Sequence, residues 1–351
     1  MIKGVNKTAE ERKYRKIETD SSSSLKDFSI DRRKYYKKHV LREKVEEKDN
    51  LATNMGRLVE TLLLEPEEFD NRFYMSSCVS VPTGLMLEFV EALYRITAEC
   101  TNDYGYVTRD FDEITEEAYK ASGFKIAKEQ VIKKFTGSDA EIYYKEIRSV
   151  RAKNLTVVSA QDVTNAERIV EELQKNEVTA GIINQENDDR FIVINQFQVE
   201  SYFVDGHEFK SMIDKVIVDT DNKAVWIYDL KCVWSVEGFY TEYYLYRRAY
   251  IQAFLYKKAL EAAMAMDPMT AGYRVMNPMF IVCDSISYYN PLIYTLTDKD
   301  LDEAYNGFEY KEHKYPGVKT LIEELVWAID NDIWTISKKN YESNGFVNIK
   351  S

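Results

Sequence analysis

The stretch "FKSMIDKVIVDTDNKAVWIYDLKCVW", Phe209 to Trp234, constrains the fold more than any other. It is apolar and β-branched with period-two alternation, and "TDNK" in its middle is turn chemistry. Such a stretch forms a β-hairpin whose faces need cover. Yet it holds Asp214, Asp229 and Lys231 among residues that should be buried. Residues i and i+2 of a strand share a face. Asp229 and Lys231 therefore point the same way as Val225 and Ile227, roughly 6–7 Å apart along the strand. Asp214 shares a face with Met212, Val216 and Val218. Pairing of the two strands lets two carboxylates and an ammonium converge at one end of a sheet. Asp-x-Lys alone is equally the pattern of a surface ion pair on an edge strand, which is worth little.

The rest of the chain supplies cover for such a sheet. Hydrophobic residues make up 45% of 351, enough for one large domain or two small ones. "NLATNMGRLVETLLLEPEEF" reads as a helix capped at Asn54 and stopped by Pro66. "TGLMLEFVEALYRITAEC" and "SAQDVTNAERIVEELQKN", the latter capped by Ser159, are further amphipathic helices. Strand composition begins at "RFIVINQFQVESYFV" and returns in "PMFIVCDS" and "NPLIYTLT". "TEYYLYRRAYIQAFLYKKALEAAMAM" reads as one long helix, and the tail from "LDEAYNGF" to "NDIW" as helical. Residues 1–20 read as a polar arm. Residues 21–351 then form a single domain, with a helical part over 21–180 and a sheet core over 181–335. The fold class expected is α/β, a central mixed sheet flanked by helices with a helical N-terminal extension.

A net charge of −12 argues against a wholly basic nucleic-acid coat. It leaves room for a local basic groove or an acidic metal site. No run of 18 apolar residues exists, so no membrane partner is expected, and "MIKGVNKTAEERKYRKIETD" has no apolar signal region. Cys78, Cys100, Cys232 and Cys283 form no CxxC pair, which fits a reducing cytoplasm.

Two close carboxylates repel each other, and one takes up a proton unless a cation sits between them. Magnesium is a natural choice, because it accepts hard oxygens and bridges one or two carboxylates to a substrate phosphate. Lys231, while protonated, is no ligand. It can position the attacking water or offset charge in the transition state.

An Asp ending one strand, followed by Asp-x-Lys on the next, resembles the PD-(D/E)xK nuclease superfamily, and within it the RecB-like and exonuclease VIII-like branch. The matches run in order: "GRLVE" with Gly56 and Glu60, "VESYF" with Glu200, "KSMID" with Asp214, "DLK" with Asp229 and Lys231, and "QAFLY" with Gln252 and Tyr256. Ser211 and Met212 depart from the small and basic residues usual there. The openings "SSSSLKDFSIDRRKYY" and "LLLEPEEF" are also similar to the exonuclease VIII-like group.

This resemblance implies a restriction-endonuclease-like core and a magnesium-dependent, or manganese-dependent, DNA exonuclease. Glu60, Asp214 and Asp229 would hold the metal and Lys231 would orient the water. Gly56 and Glu60 lie on one helix face, where the glycine would allow close approach to the sheet. Glu200, Gln252, Tyr256, Arg247 and Arg248 would support the site or touch DNA. The basic run Arg32 to Lys44 could track phosphates or simply be a solvated face. The tyrosines at 240, 243, 244, 246 and 250 could stack on bases, or pack against the sheet.

The resemblance further implies action on linear double-stranded DNA ends, 5′ to 3′, in phage-type recombination within a bacterial or phage-infected cell. A single-strand annealing protein and a homo-oligomer are implied partners. Only Cys283 follows the Gln-xxx-Tyr helix, so no iron–sulfur cluster is expected. A RecB-like endonuclease or CRISPR-associated nuclease is the alternative within the class. A catalytically inactive DNA-binding protein is the alternative outside it.

Overall fold

The computed structural model describes residues 8–43, 51–153, 155–286 and 290–347. Residues 1–7 of the expected arm and Lys44 of the basic run lie outside them. Contacts divide the chain into two compact units, one of residues 53–170 and one of residues 1–52 with 171–351.

The unit of residues 53–170 is mainly helical. Its first helix, Leu51–Leu64, buries Leu58 and Val59 completely. Asn54 lies inside this helix and does not cap it; the helix ends at Leu64, before Pro66, whose ring has no N–H to continue the ladder. The helix Gly84–Glu99 carries Phe89, Val90, Leu93 and Ile96 into a core shared with Ile114, Tyr143 and Ile147. Arg151 grips Glu91 through both guanidinium nitrogens at 2.6 Å. Two short strands, β1 (Phe73–Met75) and β2 (Thr156–Val158), pair in parallel. Ser159 caps the following helix as expected: its Oγ accepts from Asp162 N (3.1 Å), and Asp162 Oδ2 accepts from Ser159 N (3.0 Å).

The other unit is built on a six-stranded mixed sheet flanked by helices. Strands β3 (Phe191–Val204), β4 (His207–Asp219) and β5 (Ala224–Val233) form an antiparallel meander. Strands β6 (Arg274–Val275) and β7 (Met279–Asp284) run parallel to β5, and β8 (Leu292–Thr295) returns antiparallel to β7. The helices Ser22–Ile30 and Ala249–Ala265 cover one face. Val216, Val225, Ile227, Leu255 and Leu260 are fully buried between them. The alternation in sequence thus becomes a sheet with one face against helices, where burial of such side chains contributes about 1.5–3 kcal/mol each.

Three expectations are revised. The arm is helical over Thr8–Lys16 and buries Tyr14; the Lys210 ammonium fastens it by donating to Tyr14 O (2.9 Å) and Ile17 O (2.6 Å). The long helix after β5 is interrupted. A π-helical turn, Tyr240–Tyr246, ends at Arg247, and Arg248 takes a left-handed φ of 59° before the helix Ala249–Ala265 begins. The helical tail contains a hairpin, β9 (Gly307–Tyr310) with β10 (His313–Pro316). Gly307 and Gly317 close its base, where a Cβ on Gly317 would overlap the backbone of Gly307 and Tyr305.

Candidate active site

The hairpin pairs in register from Asp219↔Ala224 to Lys215↔Tyr228 and then stops. The next pair would be Asp214 with Asp229. There the Asp214 side chain replaces the ladder, its Oδ2 accepting from Leu230 N at 2.8 Å. The strands open at this point, and both carboxylates stand at the opening.

Asp229 is only 1% exposed. Its Oδ1 accepts from Gln252 Nε2 at 2.7 Å, while its Oδ2 forms an ion pair with the Lys231 ammonium. That buried Oδ2 has no hydrogen bond of ordinary geometry. The Lys231 ammonium supplies the opposite charge that this buried oxygen needs. Gln252 Nε2 also donates to the Tyr256 hydroxyl at 2.8 Å, as the four-residue spacing on one helix face requires. Burial, with Asp214 and Asp229 adding to it, pushes the Tyr256 phenol well above its ordinary pKa, so it stays neutral.

Sequence reasoning missed Lys26. It lies on the Ser22–Ile30 helix and its Nζ donates to Gln252 Oε1 at 3.2 Å. The side chain is half-buried, but its ammonium end is enclosed. That burial, with the Lys231 ammonium as the second cause, brings its pKa down to about 8 against the pull of Asp229, Asp27 and Asp214. Nothing in "SSSSLKDF" separates this lysine from a solvated cation. Gln196 was missed as well. The register of Asn195↔Lys215 and Phe197↔Ile213 sets it opposite Asp214, buried, with a left-handed φ of 51°. A non-glycine residue in that region within a strand stores strain, which clusters at functional sites.

Asp214, Asp229, Lys231, Gln252 and Tyr256 therefore meet where β4 and β5 part, with β3 and β7 still paired on either side. The other expected residues have contacts of their own. Glu200 is exposed in the bulge between Val199 and Tyr202. Arg247 stacks on Tyr243 with its guanidinium 4.5 Å from the ring centre. Arg248 stacks on Tyr315 at 4.8 Å and donates to Leu245 O at 3.1 Å; its Nε is buried without a hydrogen bond among the described residues. Glu60 is half-buried on the helix Leu51–Leu64, in the unit of residues 53–170. The basic run is largely engaged: Arg32 with Glu324 (2.6 Å), Lys34, Lys38 and His39 with Asp27, and Arg42 with Glu18. Among the tyrosines, Tyr244 and Tyr250 are buried in the core while Tyr246 is 75% exposed.

Among the described residues no group of three or more His, Cys, Asp or Glu side chains is placed to hold a metal ion. Asp214 and Asp229 still fit magnesium, which keeps several waters and commonly uses one or two carboxylates with substrate phosphates. At Asp229 such an ion would share Oδ2 with the Lys231 ammonium. A cavity of about 960 Å³ lined by Trp226, Lys257, Tyr273 and Asp298 includes none of these groups. No helix among the described residues is long and apolar enough to cross a membrane.

No protein-family model matches the chain, and no curated protein matches it. Among solved structures, the chain is similar to a putative exonuclease from Eubacterium rectale, at 12% identity over 94% of this chain and 88% of that one, with a TM-score of 0.46. At that identity and score the likeness assigns no function, and the site stands on its own geometry.

Proposed function

We propose that the chain is a divalent-metal-dependent deoxyribonuclease, an exonuclease that hydrolyses linear duplex DNA from its 5′ ends. The observation that supports this reading is the open end of the hairpin, where Asp214 and the buried Asp229 meet with Lys231 alongside. Magnesium held by Asp214 and Asp229 would polarise the phosphate oxygens as a Lewis acid.

The chain's own groups do the rest. Asp229 holds the Lys231 ammonium, which donates to the attacking water or to a phosphate oxygen. Gln252 fixes the Asp229 carboxylate, and Tyr256 remains an uncharged phenol beside them. The two ammonium groups of Lys26 and Lys231 balance the two carboxylates of Asp214 and Asp229. A bound divalent cation therefore leaves the site positive, as an anionic phosphodiester needs.

Digestion of linear duplex DNA, labelled separately at its 5′ and 3′ ends, tests this beside closed circular DNA, with magnesium and with chelator. Metal-dependent loss of the linear form, the 5′ label first and the circle intact, is expected. Nicking of the circle would make the enzyme an endonuclease. Binding of both forms without cleavage would overturn the enzymatic reading.

A further inference from the structure

We propose that Lys26 is a positioning residue of the catalytic site, locking the Gln252 amide in the one orientation that holds Asp229. This inference rests on the nuclease reading for its kinetic consequence, but its structural content is independent of it.

A lysine ammonium only donates hydrogen bonds, and an ionised carboxylate only accepts them. Gln252 stands between the two, with Oε1 on Lys26 Nζ at 3.2 Å and Nε2 on Asp229 Oδ1 at 2.7 Å. Only one orientation of the amide serves both partners. A turn by half a rotation would set its oxygen against the carboxylate and its NH2 against the ammonium. Tyr256 does not choose between the orientations, because a hydroxyl can donate or accept. Lys26 and Asp229 therefore enforce the same orientation from opposite sides of the amide, Lys26 from a helix more than two hundred residues away in sequence.

The consequence falls on Asp229. With Oδ1 held by Gln252, the carboxylate plane is set and Oδ2 is presented to Lys231. Without Lys26 the amide loses its anchor, and Asp229 can turn toward Lys231 with both oxygens. Partners of this kind, one step behind the groups that touch metal or substrate, typically cost about 10–100-fold in activity or metal affinity when removed.

The test uses the full chain and two variants. Lys26→Met keeps the length and apolar stem, and Lys26→Arg keeps the donor. In the wild type the two Nε2 protons of Gln252, both engaged, should give a well-separated, exchange-protected pair of side-chain amide signals under selective glutamine labelling. In Lys26→Met the pair should converge and lose protection, and Lys26→Arg should restore it. On linear duplex DNA, Lys26→Met should lower kcat by about 10–100-fold with little change in KM, with partial rescue by arginine. Unchanged Gln252 signals in Lys26→Met overturn the inference whatever the kinetics show, as does an unchanged kcat in a wild type that cleaves. Should the wild type not cleave, the nuclease reading falls and the amide signals alone decide the role of Lys26.

Discussion

The two ends of the β4–β5 hairpin carry the same residue type in opposite conditions. At the turn end Asp219 is saturated. Arg190 donates to it from Nε (3.1 Å) and Nη2 (2.7 Å), and Asn222 from its backbone N (3.0 Å) and Nδ2 (2.8 Å). The ladder beside it is closed. At the open end the ladder has stopped, Asp214 stands in for it, and Asp229 keeps a buried oxygen with only an ion pair. A carboxylate with its acceptor sites filled holds structure. Asp229, at 1% exposure, has one amide donor and one ammonium in place of four donors. The contrast separates the closed end of the hairpin from its open end.

The largest expected effect lies at the open end. Lys231→Ala should lower the metal-dependent digestion rate on the order of 10³-fold, the scale of losing one preorganised charge in a site. DNA binding should stay close to wild type, while the midpoint of thermal unfolding should fall because the buried Asp229 loses its ion-pair partner. Asp214→Asn and Asp229→Asn should each weaken manganese binding in calorimetric titrations. Wild-type cleavage by Lys231→Ala, or unaltered titrations for both asparagine variants, would remove the distinction between the two ends.

Much of this end is legible in sequence. Period-two alternation fixes the faces of Asp214, Asp229 and Lys231, and "TDNK" fixes the turn, so the register follows within a residue. The four-residue spacing of Gln252 and Tyr256 likewise survives into a shared contact. What sequence does not show is decided by tertiary contact. The left-handed Arg248 is a well-behaved residue in any helical pattern, and it leaves the helix while stacked on Tyr315, sixty-odd residues on. Asn54 has cap chemistry, but its helix already runs from Leu51. Lys26 has no local signal at all, because its meaning comes from Gln252.

The next effect concerns the residue after Asp214. Lys215 is 5% exposed on the opposite sheet face, and among the described residues its Nζ reaches only Ile183 O at 3.4 Å. Burial brings its pKa down from 10.5 to about 8. Between those values the unfolded chain binds the proton that the folded chain has released, so stability rises as pH rises through that window. Lys215→Met removes a poorly compensated buried cation. It should stabilise the protein by about 1–3 kcal/mol at pH 7 in urea unfolding. It should also flatten the rise between pH 8 and 10.5. A destabilised variant with the same pH slope as wild type would mean that Lys215 is well partnered, and that the two faces of β4 differ less than their polar contacts suggest.

The smallest effect tests the closed end. Arg190 leads the contacts that hold the Asp219 carboxyl well below its ordinary range, with Asn222 assisting against burial. A carboxyl lowered in this way adds stability that is full above the unfolded value near 3.8 and is lost as pH falls through the folded value. Asp219→Asn keeps the shape and removes the charge. It should lower the midpoint of thermal unfolding by about 2–4 °C at pH 7. The difference from wild type should shrink in acid, where the wild-type carboxyl also becomes neutral. Cleavage per folded molecule should stay within about twofold, because charge-assisted bonds at the turn end add stability rather than chemistry. A loss of cleavage as deep as that of Lys231→Ala, in a variant still folded at the assay temperature, would show the hairpin to be one functional unit. The saturation of Asp219 would then no longer mark it as merely structural.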